Sequence, residues 1–422
     1  MRFLLVNPWI ADFAAYNFWV RPLGLYGVAQ WLDAYGAETR LVDCLSPFSA
    51  PGKFRRKIVP NPLPKDIALD RSFARYGISV DEFRRRLSEA GPVDGVFVTS
   101  VMSYWYPGVI WAVEEIRRHY GDIPIILGGI YATLWTEHAR RNIPVDLVCK
   151  GPLEANKEAI SSFLGLGEER RESRAWYELG LWDGVDYGAI RTALGCPFRC
   201  TYCASRMVSG SYRPRDMETV LAEMEFLSRS GVKQVAFYDD ALLVDFDARL
   251  RPTLEELERR GIHFEFHTPN GLHARMLNRQ VARRLVRSGF KSVRLSLETV
   301  DPDRQKATGG KVTSRDLEVA IRNLVDEGMS PEGIGVYLLV GLPGQDLDEI
   351  AQSITYVKGL GVRPYLAEFS PIPNTVEWER LERQGVVSRD MDPLLTNNSV
   401  FYRLFSGYDN DRFLELKRLA ST

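Results

Sequence analysis

The run YGAIRTALGCPFRCTYC, residues 187–203, decides how this 422-residue chain is read. A strand-like stretch ends in a glycine and opens directly onto three cysteines, Cys196, Cys200 and Cys203, spaced four and three apart with the aromatic Tyr202 before the last. The rhythm of that opening repeats downstream: METVLAEMEFLSRSG, KQVAFYDD, LRPTLEELERRG, HFEFHTPNG, NRQVARRLVRSG, KSVRLSLET, RDLEVAIRNLVDEG, IGVYLLVGLPG, DLDEIAQSITYVKGLG and YLAEFSP. Six strand-like runs alternate with helices that often end in glycine (Gly231, Gly261, Gly289, Gly328), where a left-handed cap costs least. In the helix after Asp216, the residues Met217, Val220, Leu221, Met224 and Leu227 form one apolar stripe, which reads as core. Repeated βα units imply a parallel sheet. Six are too few for a closed eightfold barrel, so the expected fold of residues 189–385 is a partial (β/α)6 barrel with its site at the carboxyl ends of the strands. The cysteines follow the first strand at that end.

Upstream, residues 1–165 alternate in the same way. RFLLVN, ETRLVDC, DGVFVTS, IPIILGG and VDLVCKG read as strands, and LGLYGVAQWLDAYG, PGVIWAVEEIRRHYG and YATLWTEHARR as helices. The expectation is an α/β domain with a doubly wound, flavodoxin-like parallel sheet, carrying a polar insertion at about 48–92. The charged run GEERRESR makes 166–188 the candidate linker, and 386–422 is a C-terminal extension with FYRLFSG as a strand-like or short helical piece and DRFLELKRLA as a final amphipathic helix.

Composition narrows the function classes. Lys plus Arg (54) nearly cancels Asp plus Glu (55), so no bulk field favours nucleic acid. The start MRFLLVNPWI makes a poor signal peptide and a good first strand, and the longest apolar stretch, IGVYLLVGL, is short of the roughly 20 residues a membrane helix needs. A cytoplasmic protein without a transmembrane segment is expected. Five cysteines with only three clustered are no disulfide framework, and Cys44 and Cys149 read as small buried residues at strand ends.

Structural zinc is nearly always four-coordinate with ligands paired at each end of the site, and no second cysteine or histidine pair with ligand spacing accompanies the triad. Two readings remain from the residues alone: structural or free thiols, or three corners of a four-iron cluster whose fourth iron is open to a non-protein ligand.

C-x3-C-x2-C with an aromatic before the last cysteine, placed after the first strand of a βα series, resembles the radical S-adenosylmethionine superfamily over about residues 189–385. The resemblance implies a [4Fe-4S] cluster on Cys196, Cys200 and Cys203, with the open iron chelated by the amino and carboxylate groups of S-adenosylmethionine, whose sulfonium is cleaved reductively to a 5′-deoxyadenosyl radical. It also implies that Asp239 or Asp240, ending the second strand, meets the cofactor's ammonium; that Ser296 and Glu298, ending the fourth, meet its ribose or amino-acid part; and that Gly341 and Gly344, after the fifth, let adenine approach. Tyr202 would lie beside adenine. A buried strand-end glutamate without a partner would be costly, which favours a ligand role for Glu298.

The front domain, through RPLGLYGVAQWLDAYGAETRLVDC, VTSVMSYWYPGVIWAVEEIRRHYGDIPIILGGIYAT and VDLVCKGPLEA, is similar to the cobalamin-binding domain that precedes such barrels in a large subgroup. That similarity implies cobalamin against loops carrying Asn7, Thr99, Tyr104, Gly128, Gly129 and Gly151. VDCLSP stands where many cobalamin proteins carry D-x-H-x-x-G, so no histidine is offered to cobalt, and Pro152 and Leu153 interrupt the Gly-Glu-rich loop usual after the last strand. Three functions follow: a cobalamin-dependent radical methyltransferase acting on an unactivated carbon; a radical enzyme without cobalamin that forms a carbon–carbon bond or rearranges a lipid, peptide or small metabolite; or a non-catalytic iron–sulfur protein. The implied partners are a small-molecule, lipid or peptide substrate and an electron donor such as flavodoxin or ferredoxin.

Overall fold

The computed structural model describes residues 1–46, 53–65, 67, 69 and 71–421. Its contacts divide the chain into two units, Met1–Val185 with Asp390–Leu395, and Asp186–Arg389 with Thr396–Thr422.

The front unit is built on five parallel strands, β1 (Arg2–Asn7), β2 (Glu38–Asp43), β3 (Gly95–Val98), β4 (Ile125–Leu127) and β5 (Leu147–Val148), in the order β2-β1-β3-β4-β5. Phe3 to Asn7 are all buried, as a central strand covered on both faces requires. This is the doubly wound, flavodoxin-like order, and it reverses beside β1, so the carboxyl ends of β1 and β3 border the crevice where such folds bind ligands. Part of the polar insertion adds a small antiparallel sheet, in which Ala74–Tyr76 pairs with both Ile10–Asp12 and Arg56–Ile58. Ile10, Leu45, Phe54, Ala74 and Tyr76 form its core, and a helix Val80–Ala90 follows, N-capped by Ser79. Residues 48–52, 66, 68 and 70 of the expected insertion lie outside the described residues.

The charged stretch after Gly165 packs on the front unit. Arg171 and Arg174 both bind the buried Asp33 carboxylate at the end of the helix Leu23–Asp33, and Trp176 stacks on Tyr26 at 4.4 Å. Burial pushes the Asp33 carboxyl up, but the bonds from Arg174 and Arg171 outweigh it and leave its pKa below the usual value. Residues Asp390–Leu395 also belong here: the Tyr106 hydroxyl donates to Asp392 at 3.0 Å, and Tyr106 stacks on Tyr131, whose hydroxyl meets His138 Nδ1 at 2.8 Å.

The second unit carries six parallel strands, β6 (Tyr187–Ile190), β7 (Gln234–Phe237), β8 (Glu265–Leu272), β9 (Phe290–Glu298), β10 (Ile334–Val340) and β11 (Arg363–Glu368), lying in sequence order with β6 and β11 at the edges. This is the partial (β/α)6 barrel. On the helix-facing side, Phe237, Phe266 and Phe290 pack together with centroids 5.1 to 5.4 Å apart, Phe237 stacked on Phe290 and Phe266 tilted against both. The helix Met217–Arg229 buries Val220, Leu221, Met224 and Leu227, whereas Met217 is 38% exposed, so the apolar stripe begins one turn later than its sequence pattern predicts. The helices before Gly231, Gly261, Gly289 and Gly328 do end in left-handed glycines. A short helix, Phe401–Phe405, and a final one, Asn410–Ser421, complete the unit, with Lys417 bonded to Glu368 of β11 at 2.6 Å. Among the described residues, no helix is long and apolar enough to cross a membrane.

Candidate active site

The cysteine loop leaves β6 through a short clamp, Ala193–Leu194 paired antiparallel with Arg213–Pro214. Between them Gly195 has φ +72°, and a Cβ there would meet the carbonyl oxygens of Gly210 and Ser211 at 2.6 Å; only glycine closes the clamp. Asp239, past the end of β7, holds the loop's first residues. Its carboxylate accepts from Thr192 N at 3.0 Å, Thr192 Oγ1 at 2.6 Å and Ala193 N at 2.7 Å. Arg249 stands 3.4 Å behind that carboxylate and also donates to Thr192 and to the carbonyls of Leu242 and Val244. A third tie lies beyond Arg199: Thr201 N donates to Thr308 O, and Thr201 Oγ1 to Glu377 at 2.8 Å. Gly309, at φ +116°, lets that neighbour approach, since a Cβ on it would meet Arg199 O and Cys200 Cα at 3.2 Å.

The loop therefore presents three thiols from a backbone fixed at both ends and in the middle. Cys196 is buried, Cys200 half-buried and Cys203 exposed, and none is in a disulfide. Burial pushes the Cys196 thiol up to about 11 and raises that of Cys200 as well; Lys311 pulls Cys200 the opposite way, and the Cys203 field adds to the rise of both. Among the described residues, no three His, Cys, Asp or Glu side chains converge on a point where one metal ion would sit. Three thiols presented from one short loop are the donor chemistry that an iron–sulfur cluster takes.

Around this loop the barrel gathers some of the expected side chains and spends others. Asp240 accepts from Ser205 Oγ at 2.9 Å, and Ser205 in turn meets Cys203 Sγ at 3.3 Å, so Asp240 borders the thiols. Asp239 does not: its carboxylate is committed to the backbone of the loop. Tyr202 donates to Glu298 Oε1 at 2.8 Å, and Lys311 Nζ lies 3.4 Å from the same oxygen. Glu298 is thus buried with partners, so its burial no longer argues by itself for a ligand. Its backbone does point to a special position, with φ +73° in a non-glycine residue at the end of β9. Ser296 is buried against Gly271, where a Cβ would fall 2.1 Å from Ser296 Oγ. Gly341 N donates to the Gln345 side chain, which closes the turn after β10, and the Gly344 carbonyl accepts from Arg304 at 2.8 Å.

In the front unit, Thr99, Gly128, Gly129 and Gly151 follow β3, β4 and β5 and are all half-buried. The loops interlock: Ser100 Oγ donates to Gly128 O at 2.7 Å, Ile130 N to Ser100 O at 2.7 Å, and Gly151 N to Thr133 Oγ1 at 3.0 Å. Among the described residues, no heavy atom other than those of the chain neighbours lies within 4 Å of a Cβ built on Gly128 or Gly151, so both line open space. Asn7 is turned inward, donating to Asp43 at 2.7 Å, and Tyr104 is buried edge-on to Trp105.

Reading the sequence alone did not find Arg249, Lys311, Glu377, Gly309 or His273. His273 is buried and stacks on Phe198 of the cysteine loop at 4.1 Å, and burial takes its imidazole down to about 3. None of these five lies in a local motif; each reaches the loop from a distant element.

Comparison with known proteins agrees with this geometry. The family model described as the radical SAM superfamily matches residues 190–357. An uncharacterized methyltransferase of Pyrococcus horikoshii is 25% identical over 325 residues, covering 68% of this chain and 69% of the relative. The structure of TsrM, a radical S-adenosylmethionine methyltransferase from Kitasatospora setae, superposes with TM-score 0.69 at 16% identity over 91% of this chain and 76% of that one. The cobalamin-dependent radical enzyme OxsB superposes with TM-score 0.57 at 14% identity over the whole of this chain, which spans 56% of that protein. The second unit is therefore a radical SAM domain, and the chain is a radical SAM superfamily enzyme whose front unit has the cobalamin-binding-type fold.

Proposed function

We propose that the protein is a cobalamin-dependent radical enzyme that methylates an unactivated carbon. The observation that carries this reading is the pinned loop of Cys196, Cys200 and Cys203 at the carboxyl end of a six-stranded parallel sheet, in a chain whose fold follows TsrM through both units. When bound, the cluster and S-adenosylmethionine supply a hydrogen-abstracting radical, and the corrin supplies a methyl carrier.

The chain's own residues hold and orient these groups. Cys196, Cys200 and Cys203 ligate iron. Asp240 receives the cofactor's ammonium, while Asp239 fixes the loop that carries the thiols. Tyr202, Ser296, Glu298, Gly341 and Gly344 border the nucleoside, and the Tyr202–Glu298–Lys311 set keeps a carboxylate oriented beside Cys200. In the front unit, Thr99, Gly128, Gly129 and Gly151 border the corrin, with Asn7 and Tyr104 supporting those loops. The substrate is a small molecule, lipid or peptide, an electron donor such as flavodoxin or ferredoxin reduces the cluster, and the protein works in the cytoplasm.

A second reading, a radical enzyme that works without cobalamin, is favoured by one observation. Leu45 stands where D-x-H-x-x-G would place the histidine, and the preceding Asp43 is bonded internally to Asn7 and to Leu45 N. The deciding experiment is anaerobic purification from cells supplied with cobalamin, followed by reductant-dependent turnover with methyl-labelled S-adenosylmethionine. A corrin absorption band and label in a product support the first reading. Deoxyadenosine formation without corrin, even after reconstitution, leaves the second.

A further inference from the structure

Strand register places Arg191 on the concave side of the barrel sheet. In β6, a Cβ on Gly188 would meet Leu227 of the helix Met217–Arg229 at 2.9 Å, so Gly188 and Ile190 face the helices. Alternation then sends Tyr187, Ala189 and, just past the strand end, Arg191 to the other side. On the neighbouring strand Phe237 pairs with Ile190, so Tyr238 and Asp240 share the side of Arg191.

Each of the other half-buried or buried arginines of this unit has at least one partner for its guanidinium, Arg251 on Asp247 and Arg284 on Glu258 among them. Arg215 forks onto Glu223 at 2.8 and 2.9 Å, Arg304 binds both oxygens of Glu349, Arg249 has the partners given above, and Arg294 lies over the Tyr365 ring at 4.4 Å. Arg191 differs. Among the described residues, no hydrogen bond or ion pair engages its half-buried guanidinium. Burial is the largest influence on it and lowers its pKa; the fields of Asp240 and then Asp239 oppose that without either carboxylate reaching it. Asp240 is similarly unfinished, with Ser205 as the one described side chain bonded to it. An unpaired, partly desolvated cation is costly. A guanidinium and a carboxylate that share one side of the sheet, at the mouth of a site, without closing on each other are complementary to a zwitterion.

We propose that Arg191 binds the carboxylate of an α-amino-acid group whose ammonium faces Asp240. This rests on the reading of the unit as an S-adenosylmethionine site, and two molecules carry such a group there: the methionyl end of S-adenosylmethionine itself, or an amino-acid substrate.

The test uses the cluster-reconstituted full chain under anaerobic conditions, with equilibrium dialysis of labelled S-adenosylmethionine to the parent, Arg191→Met and Arg191→Lys, and with iron content and cluster absorbance as controls. If the methionyl end is the ligand, Arg191→Met weakens binding about tenfold or more and Arg191→Lys recovers part of it, at unchanged iron content. If S-adenosylmethionine binds both variants as it binds the parent, the loaded proteins are titrated with the free protein-forming L-amino acids. One that binds the parent and weakens about tenfold in Arg191→Met identifies the substrate as the source. Unchanged affinity for S-adenosylmethionine, together with no amino acid whose binding depends on Arg191, overturns the inference. A parent protein that carries full iron but binds no S-adenosylmethionine overturns the reading beneath it.

Discussion

Neighbouring aspartates at the end of β7 should fail in opposite ways when replaced. Asp239→Ala removes the acceptor of three bonds from Thr192 N, Thr192 Oγ1 and Ala193 N and strips the buried Arg249 of its anion. Breaking a buried, hydrogen-bonded charge pair costs about 3–5 kcal/mol; because Arg249 keeps the Leu242 and Val244 carbonyls, about 4 kcal/mol is the expected loss. At about 2–4 °C per kcal/mol for a unit of this size, the melting temperature of the barrel should fall by about 10 °C. Asp240→Ala gives up one bond from Ser205 at a half-exposed position, so its melting temperature should stay within about 2 °C of the parent, while its affinity for S-adenosylmethionine drops. Calorimetry on cluster-free protein reads the first effect and dialysis on reconstituted protein the second. An Asp239→Ala protein that melts like the parent but fails to bind the cofactor would refute the assignment of that carboxylate to the loop.

Cys200→Ala should abolish both cluster absorbance and deoxyadenosine formation while the far-ultraviolet circular dichroism stays that of the parent; any retained deoxyadenosine production contradicts the ligand assignment. Gly309→Ala forces a Cβ against Arg199 O and Cys200 Cα in left-handed backbone, at a cost of about 1–3 kcal/mol; iron incorporation should fall, and full incorporation at an unchanged melting temperature would show that the loop has room. His273 drops from 6.5 to about 3 through burial, so between those values the unfolded chain binds a proton that the folded one refuses, and stability declines as the pH falls below 6.5. Going from pH 6.5 to 5 this one residue accounts for about 2 kcal/mol. Urea midpoints at pH 7 and pH 5 should converge in His273→Phe relative to the parent, and an identical pH difference in both would argue against a buried neutral imidazole.

How much of this was legible in the sequence depended on the range of the interaction. Strand and helix periodicity is local, so the two parallel sheets and the position of the cysteines after β6 could be read directly. The stripe on Met217–Arg229 was right except at Met217, where periodicity continues into a turn that faces solvent. The aspartate pair shows the limit: Asp239 and Asp240 are adjacent and chemically identical, and only the strand's alternation together with the path of residues 192–193 decides which one turns toward the loop backbone and which toward the thiols. The charged run after Gly165 looked like a tether because its partner, Asp33, lies on the first helix of the front unit, far back in the chain. Arg249 and Glu377 were invisible for the same reason: one precedes the helix Leu250–Arg259, the other opens the helix Val376–Arg383, and the role of each exists only once the strands are assembled.

One consequence concerns how the molecule can be made. Because Asp390–Leu395 completes the front unit while the residues on both sides of it belong to the barrel, the polypeptide passes from one body to the other three times. A ribosome that has emitted the first 185 residues has not yet delivered the carboxylate that Tyr106 requires, so the amino-terminal body cannot finish before the second has been translated. Expressing either body by cutting at a single peptide bond would leave a polar hydroxyl orphaned in one fragment and a dangling tail on the other; a bisected version has to be supplied with the missing hexapeptide.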